Sequence, residues 1–390
     1  MDNLRLHGGN LILDNEIRKA DLLIKDGKIE AIIDAQTPTP DYEMLDCTDL
    51  HISAGFVEIH SHGGGGSDYM DDEEDAYKNI LGLHVQHGTT SVMPTTLSAG
   101  TEGTIKAIDN YLRAEKDKSL PVNLLGMHME GPFISLNQAG AQRPENIREF
   151  NEKEYKLLYE RSQGRIKRWS VAPEKEGAKE FADFANKNGI TLSIGHSDAD
   201  FDTVVKAFDW GFRHITHFYS GCSSVVRREG FRVAGVVEAG YYLDDMNVEI
   251  IADGCHLPPS LLKLIVKTKG ADHVALITDS MRAAGQTSGE SYLGSKEEPM
   301  PVVIEKGVAM LLTRDAFGGS IATSDRLIRT MLSCGVSLPD AVKMATISPL
   351  KMMNQKVKKG LIKEGYDADI CVFDDNINIK HVFVNGIKRV

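Results

Sequence analysis

The sequence predicts an α/β protein, a TIM-like (β/α)8 barrel with a small β-sandwich domain formed from both chain termini. Three observations predict it. Both ends read as short strands with hairpin turns. Between them, short apolar runs alternate with longer amphipathic stretches. Polar residues then gather at the ends of the apolar runs. Alternating strand and helix implies parallel strands. Eight such units in about 300 residues suit a closed barrel.

The N-terminal part of the sandwich is expected over residues 1–54. There, Asp21-Leu22-Leu23-Ile24-Lys25 and Lys28-Ile29-Glu30-Ala31-Ile32-Ile33 flank Asp26-Gly27, a hairpin signal. The C-terminal part is expected over 353–390, with a strand at Asp369–Phe373 and a second turn at Asn385-Gly386. Neither end holds enough strands to form a sheet pair alone, so the two should combine. The barrel is expected over 55–352. Its eight strand candidates are Phe56–His60, Thr90–Pro94, Asn123–Glu130, Arg168–Ala172, Thr191–His196, His214–His217, Val248–Asp253 and Val274–Asp279. Helical patterns such as Asp75–His87, Glu176–Asn188 and Ala199–Trp210 lie between them.

Composition limits the function classes. The 390 residues include 44 Lys plus Arg against 56 Asp plus Glu, a formal net charge of −12. That argues against nucleic acid as the main partner, because phosphate contacts need a basic stripe. A small anionic substrate stays possible, since a local cluster of cations overrides the global field. The 5 cysteines are scattered and form no Cys-x-x-Cys, which reads as reduced thiols in a cytoplasmic protein. Met1-Asp2-Asn3-Leu4 opens no secretory leader, and no run of ~18 apolar residues predicts a membrane helix.

The strand ends carry the chemistry. They hold His60-Ser61-His62, His128-Met129-Glu130-Gly131, Gly195-His196, His217 and Asp279. In a parallel barrel these ends share one face, where such proteins place their sites. His60 and His62 alternate on a strand and point to one side, suited to gripping a cation. His196, His217 and Glu130 form a nitrogen and oxygen set suited to zinc or another divalent transition metal. A buried Glu130 without a cation partner would be costly. Asp279 is either a capping residue or a proton shuttle. A divalent ion lowers the pKa of bound water from ~15.7 towards ~7, after which a nearby carboxylate accepts its proton. Hydrolysis of a C–N bond follows as the implied chemistry. No Gly-x-Ser-x-Gly elbow, P-loop or Gly-x-Gly-x-x-Gly appears.

These motifs resemble the amidohydrolase superfamily, and within it the N-acetylglucosamine-6-phosphate deacetylases. Ala54-Gly55-Phe56-Val57-Glu58-Ile59-His60-Ser61-His62-Gly63 is similar to the opening motif, with Ala54 where Pro is usual. His128-Met129-Glu130-Gly131-Pro132-Phe133, Gly195-His196-Ser197, Thr216-His217, Ile251–His256 and Thr278-Asp279 follow in the family's order. The resemblance implies that Glu130, His196 and His217 hold the principal metal, with His60 and His62 making a second site. One or two ions per subunit are expected: zinc, with iron or another transition metal as alternatives. It implies Asp279 as the acid/base. Strand four ends at Ala172-Pro173-Glu174 without a lysine, so Glu130 would supply the carboxylate.

The resemblance further implies substrate contacts at Ala141, Gln142, Ser220, Gly221, Arg228, His256, Phe317, Gly318 and Gly319. It implies a homodimer, with Arg228 reaching the neighbouring subunit. Two departures affect specificity. Ser220-Gly221-Cys222 replaces the family's Asn-Ala-Met, and Glu229-Gly230-Phe231 replaces Glu-Pro-Gly. The expected reaction is deacetylation of N-acetylglucosamine 6-phosphate. The galactosamine epimer or a cyclic amide are the alternatives.

Overall fold

The computed structural model describes residues 3–14 and 16–390. Met1 and Asp2, half of the segment read above for a leader, lie outside the described residues. Eight parallel strands form the barrel: β1 (Phe56–Ser61), β2 (Thr89–Thr96), β3 (Met127–Glu130), β4 (Ile166–Val171), β5 (Thr191–Ile194), β6 (His214–Ile215), β7 (Asn247–Ile251) and β8 (Val274–Ile277). They pair in chain order from β1 to β8. Every residue of β1 and of β8 is buried, as expected where helices cover one face and the barrel interior the other.

No regular ladder joins β8 to β1. The seam is closed by backbone bonds just beyond the strands, from Asp279 N to His60 O (2.9 Å) and from His62 N to Ser280 O (2.8 Å). The Glu58 carboxyl also spans it, accepting from His60 N at 2.8 Å and Thr278 N at 2.9 Å. Closure therefore fixes the chain on either side of His60, His62 and Asp279.

Helices α1 (Ala76–Gln86), α2 (Thr101–Ala114), α3 (Glu152–Arg161), α4 (Ala178–Lys187), α5 (Phe201–Asp209), α6 (Val236–Tyr242), α7 (Pro259–Lys269) and α8 (Ser324–Ser333) surround the strands. Each buries one stripe. In α4 the stripe is Ala178, Phe181, Ala182 and Ala185, at helical spacing. Phe181 is fully buried and meets Trp169 of β4 edge-on, with ring centres 5.1 Å apart. The Asp200 side chain starts α5 by accepting from Thr203 N at 2.9 Å, satisfying one orphan donor of the first turn.

The termini combine as expected. One sheet joins Asn3–His7, Asp21–Lys25, Lys28–Ile33 and Glu43–Asp46. The other places Ile370–Phe373, from the C-terminal end, antiparallel to His51–Ala54. Leu6, Leu22 and Ile29 of the first sheet share a core with Ile52, Val372 and Phe383 of the second. Asp26 and Gly27 both have positive φ, 49° and 74°, the backbone that a two-residue hairpin turn requires.

Five strands stop earlier than the sequence pattern suggests, β4 by one residue and β5, β6, β7 and β8 by two. β5, β6 and β8 end two residues before His196, His217 and Asp279. Those residues have φ of 49°, 29° and 47°, which no strand accommodates. Asn123–Glu130 also divides, because Gly126 at φ 104° separates Asn123–Leu124 from β3. Two elements were not anticipated at all. A three-stranded sheet (Gly289–Leu293, Met300–Glu305 and Val308–Leu311) follows β8, and a hairpin (Val226–Arg228 with Phe231–Val233) follows β6.

Asp325, in the first turn of α8, ties that helix to α1. Its Oδ1 lies 3.1 Å from His87 Nδ1, at the end of α1, and its Oδ2 accepts from Arg329 at 2.9 Å. Burial raises this carboxyl, but the bond and charge of His87, then Thr323 and Arg329, outweigh it and hold it at about 2. A depressed carboxyl stabilises the fold above its unfolded pKa of ~3.9, and that stability is lost as pH falls through the folded value. Asp325→Asn should lose about 3 kcal/mol at pH 7, from roughly two units at ~1.36 kcal/mol each. Denaturant midpoints should show the gap between variant and parent narrowing as pH drops from 4 towards 2.

Candidate metal centre

The strand ends converge on Glu130. It sits at the end of β3 and is 2 % exposed. Its Oε1 lies 3.2 Å from His196 Nε2, 2.9 Å from His217 Nε2 and 3.4 Å from His60 Nε2. Its Oε2 lies 3.4 Å from His62 Nε2. Asp279 approaches from β8, with Oδ1 3.2 Å from His62 Nε2 and 3.5 Å from His60 Nε2. Two groups of ligand atoms result: Glu130, His196 and His217, and His60, His62 and Asp279.

The outer nitrogens reveal what the inner ones face. His196 Nδ1 lies 2.8 Å from the Gln138 carbonyl, and His217 Nδ1 2.9 Å from the Ser220 carbonyl. A carbonyl only accepts, so in a neutral ring the proton is assigned to Nδ1 and the lone pair to Nε2. The two Nε2 atoms then stand 3.2 Å apart, both turned on a carboxylate oxygen. Lone pairs converging on an anion require a cation between them. His60 Nε2, buried at the same place, has no hydrogen-bond partner. The donor set fits a divalent transition metal, with imidazole nitrogens and carboxylate oxygens in reach and second hydrogen bonds already made.

Burial raises the Glu130 carboxyl, but the imidazoles of His60, His196 and His217 around it hold it well below its usual range.

Strand four supplies no ligand. Glu174, just beyond it, instead accepts from Ser197 Oγ (2.7 Å) and Asp198 N (2.6 Å), bracing the loop that carries His196. The tight packing there explains a glycine. A Cβ on Gly221 would stand 3.0 Å from His196 Nδ1, and its φ is 56°.

A cavity of about 230 Å³ opens over the histidines. Ala141, Gln142, Ser220, Gly221, His256, Phe317 and Gly319 all line it, together with Leu97, Ile251 and Leu293. His256 is steadied through Nδ1, 2.8 Å from Asp253 Oδ2, and its ring meets the edge of Phe317. Gly319 passes so close to Asp279 that a Cβ would lie 2.9 Å from the Asp279 carbonyl. Gly318 is turned away, towards Val302 of the inserted sheet. Arg228 is exposed on the hairpin after β6 and does not line the cavity within this chain. Leu97 and Leu293 went unnoticed in the sequence, because apolar residues in loops look like any other core contribution.

Gln142 has both ends of its amide engaged. Nε2 donates to Glu130 Oε2 at 2.7 Å, and Oε1 accepts from Ser98 N at 2.8 Å.

The sequence and fold match known proteins. The Amidohydrolase family model matches residues 51–388, and the chain belongs to that family. Its sequence is 30% identical over 378 residues to N-acetylglucosamine-6-phosphate deacetylase of Lysinibacillus sphaericus, covering 95% of this chain and 93% of that one. It is 29% identical over 368 residues to N-acetylgalactosamine-6-phosphate deacetylase of Escherichia coli O157:H7, covering 94% and 93%. The fold superposes at a TM-score of 0.91 on a variant N-acetyl-D-glucosamine-6-phosphate deacetylase from Mycobacterium smegmatis in complex with N-acetyl-D-glucosamine-6-phosphate. That pair is 26% identical over 100% of this chain and 99% of the other.

If Gln142 steadies the Glu130 carboxylate, Gln142→Ala should weaken divalent-ion binding about tenfold, in the range of lost outer-shell bonds. Chelator competition on the purified protein measures it.

Proposed function

We propose that this chain removes the N-acetyl group from an amino sugar phosphate, N-acetylglucosamine 6-phosphate first among them. One observation carries the reading. Four histidines and two carboxylates from separate strand ends meet at the floor of a sugar-sized cavity. Relatives of matching length, named as deacetylases of such sugars, support it.

Glu130, His196 and His217 would hold the principal ion, zinc by preference of the ligand set, and His60 and His62 a second. When bound, such an ion polarises the amide carbonyl and acidifies water. The chain's own residues do the rest. Asp279 accepts the proton of the attacking water at a carboxylate oxygen. The carbonyl carbon gains that oxygen and its bond to nitrogen breaks. Asp279 returns the proton to the departing amine, so acetate and the free amino sugar leave. His62, beside the Asp279 carboxylate, keeps it turned into the site. His256, held by Asp253, offers its other ring nitrogen to the sugar or phosphate. Ala141, Ser220, Gly221, Phe317 and Gly319 shape the wall.

The cavity lining contains no Lys or Arg among the described residues. A phosphate therefore needs a cation from elsewhere. Arg228 stands exposed on a hairpin with Val226 and the 76 % exposed Phe231, suited to entering a neighbouring subunit's site in a homodimer. The free cysteines suit the reducing cytoplasm. Among the described residues no helix is long and apolar enough to cross a membrane.

A second reading, the galactosamine epimer, is favoured by one observation. A relative named N-acetylgalactosamine-6-phosphate deacetylase is 29% identical over 368 residues, against 30% over 378 for one named for the glucosamine epimer.

Amine release from the two epimeric 6-phosphates by metal-loaded protein decides between them. A kcat/KM of ~10⁴–10⁸ M⁻¹s⁻¹ on one epimer is expected of an enzyme on its own substrate. Negligible release from both overturns the proposal. Asp279→Asn should abolish turnover, a loss of ~10²-fold or more for a proton-transfer group, while the ion stays bound. Retained turnover removes Asp279 from the role.

A further inference from the structure

Beneath the histidines, inside the barrel, lies a buried ion pair that the proposed reaction does not use. Arg168 on β4 and Glu249 on β7 face each other across the interior, with side chains 0% and 2% exposed. A buried charge pair is poor stabilisation on its own, since desolvation offsets the attraction. Its further contacts explain its placement. Arg168 binds Glu249 Oε1 and also donates to Ser193 Oγ and Thr216 Oγ1, each at 3.0 Å, so the guanidinium is fixed by three strands. Glu249 Oε2 lies 3.3 Å from His60 Nδ1 and accepts from the backbone N–H of His217 at 3.4 Å. One carboxylate thus touches a member of each ligand group.

The consequence for His60 is directional. A carboxylate at Nδ1 holds the ring proton there and leaves the lone pair on Nε2. That Nε2 is the atom lacking a hydrogen-bond partner, aimed between Glu130 and Asp279. His128 limits the alternatives. Its ring packs edge-on against His60 with centres 4.6 Å apart, and its own Nε2 lies 2.6 Å from Ser170 Oγ, so it does not compete for Glu249.

We propose that Glu249, anchored by Arg168, is a positioning residue for the metal centre. It sets the tautomer and aim of His60, holds the backbone at His217, and so governs how tightly the His60, His62 and Asp279 group binds a divalent cation. This rests on the metal-centre reading above.

The test removes both charges together, so that neither is left buried alone. Three proteins are compared: the parent, Arg168→Met/Glu249→Met, and Arg168→Met/Glu249→Gln. Zn²⁺ affinity is read by chelator competition, the ligand field by the visible spectrum of the Co²⁺-loaded protein, and the fold by melting of the metal-stripped protein. The Met/Met variant should melt close to the parent yet bind Zn²⁺ 10–100-fold more weakly, with an altered Co²⁺ spectrum. The Met/Gln variant should recover most of the affinity, because its amide oxygen still accepts from Nδ1. Parent-like affinity and spectrum in the Met/Met variant overturn the proposal, as does a Met/Gln variant no better than Met/Met. If neither double variant folds, Arg168→Gln/Glu249→Met, which keeps polar contacts to Ser193 and Thr216, decides instead. A several-fold loss of Zn²⁺ affinity supports the role, and an unchanged affinity and spectrum reject it. A parent that binds no divalent ion rejects the metal-centre reading itself, which separates the two failures.

Discussion

The Glu130 carboxylate is the constraint on which the rest of the structure depends. Four imidazole rings from β1 and from the turns after β1, β5 and β6 reach it at 3.4 Å or less. In a nearly dry interior an anion of this kind is costly unless cations surround it. The barrel makes the convergence possible, because parallel strands deliver distant segments to one end. Glu130 in turn depends on Gln142, whose amide links the carboxylate to the loop after β2 through Ser98 N. The site is thus assembled by topology and held by hydrogen bonds that satisfy each ligand's far side.

Three of the site residues sit in left-handed backbone. His196, His217 and Asp279 are neither glycine nor asparagine, and each position costs on the order of 1–3 kcal/mol. The surroundings hold them there. Ser135 N donates to the His196 carbonyl at 2.8 Å, and Ser220 N to that of His217 at 2.8 Å. Ser320 N donates to the Asp279 carbonyl, also at 2.8 Å, where Gly319 lets the chain pass close. Turning the chain out of the strand at these points swings each side chain over the barrel mouth. An extended residue would point alternately inward or outward instead. The strain belongs to the ligand geometry.

This explains what could and could not be read from the sequence. The eight strands were legible because each is a short apolar run closed by a polar residue. His60, His62, Glu130, His196, His217 and Asp279 were legible because those closing residues share one chemistry. The early ends of β5, β6 and β8 were not, since positive φ at a histidine or aspartate leaves no compositional trace. Arg168 and Glu249 were hidden for a different reason. A charged residue inside an apolar strand looks like an outward-facing position, and only the folded barrel shows the two meeting across its centre. The inserted sheet from Gly289 to Leu311 was missed because its strands lie beyond the last repeat of the strand–helix rhythm. That sheet has a small core of its own, with Leu293, Val302 and Ile304 packed on Met281.

The division between legible and hidden parts is also a division of labour. His60, His62, Glu130, His196, His217 and Asp279 come from strand ends, whose positions the closed barrel determines. The cavity walls come from loops and the inserted sheet, through Ala141, Ser220, His256 and Phe317, whose positions only local packing determines. Substitutions in the walls can therefore change which sugar fits without disturbing the metal centre. Ser220-Gly221 shows a limit to that freedom. The Ser220 carbonyl also orients His217, and Gly221 lies against His196, so this stretch belongs to wall and centre at once. A larger side chain at 221 would press on a ligand. Specificity here must be adjusted through the Ser220 side chain, through the inserted sheet, or through groups brought from outside the chain.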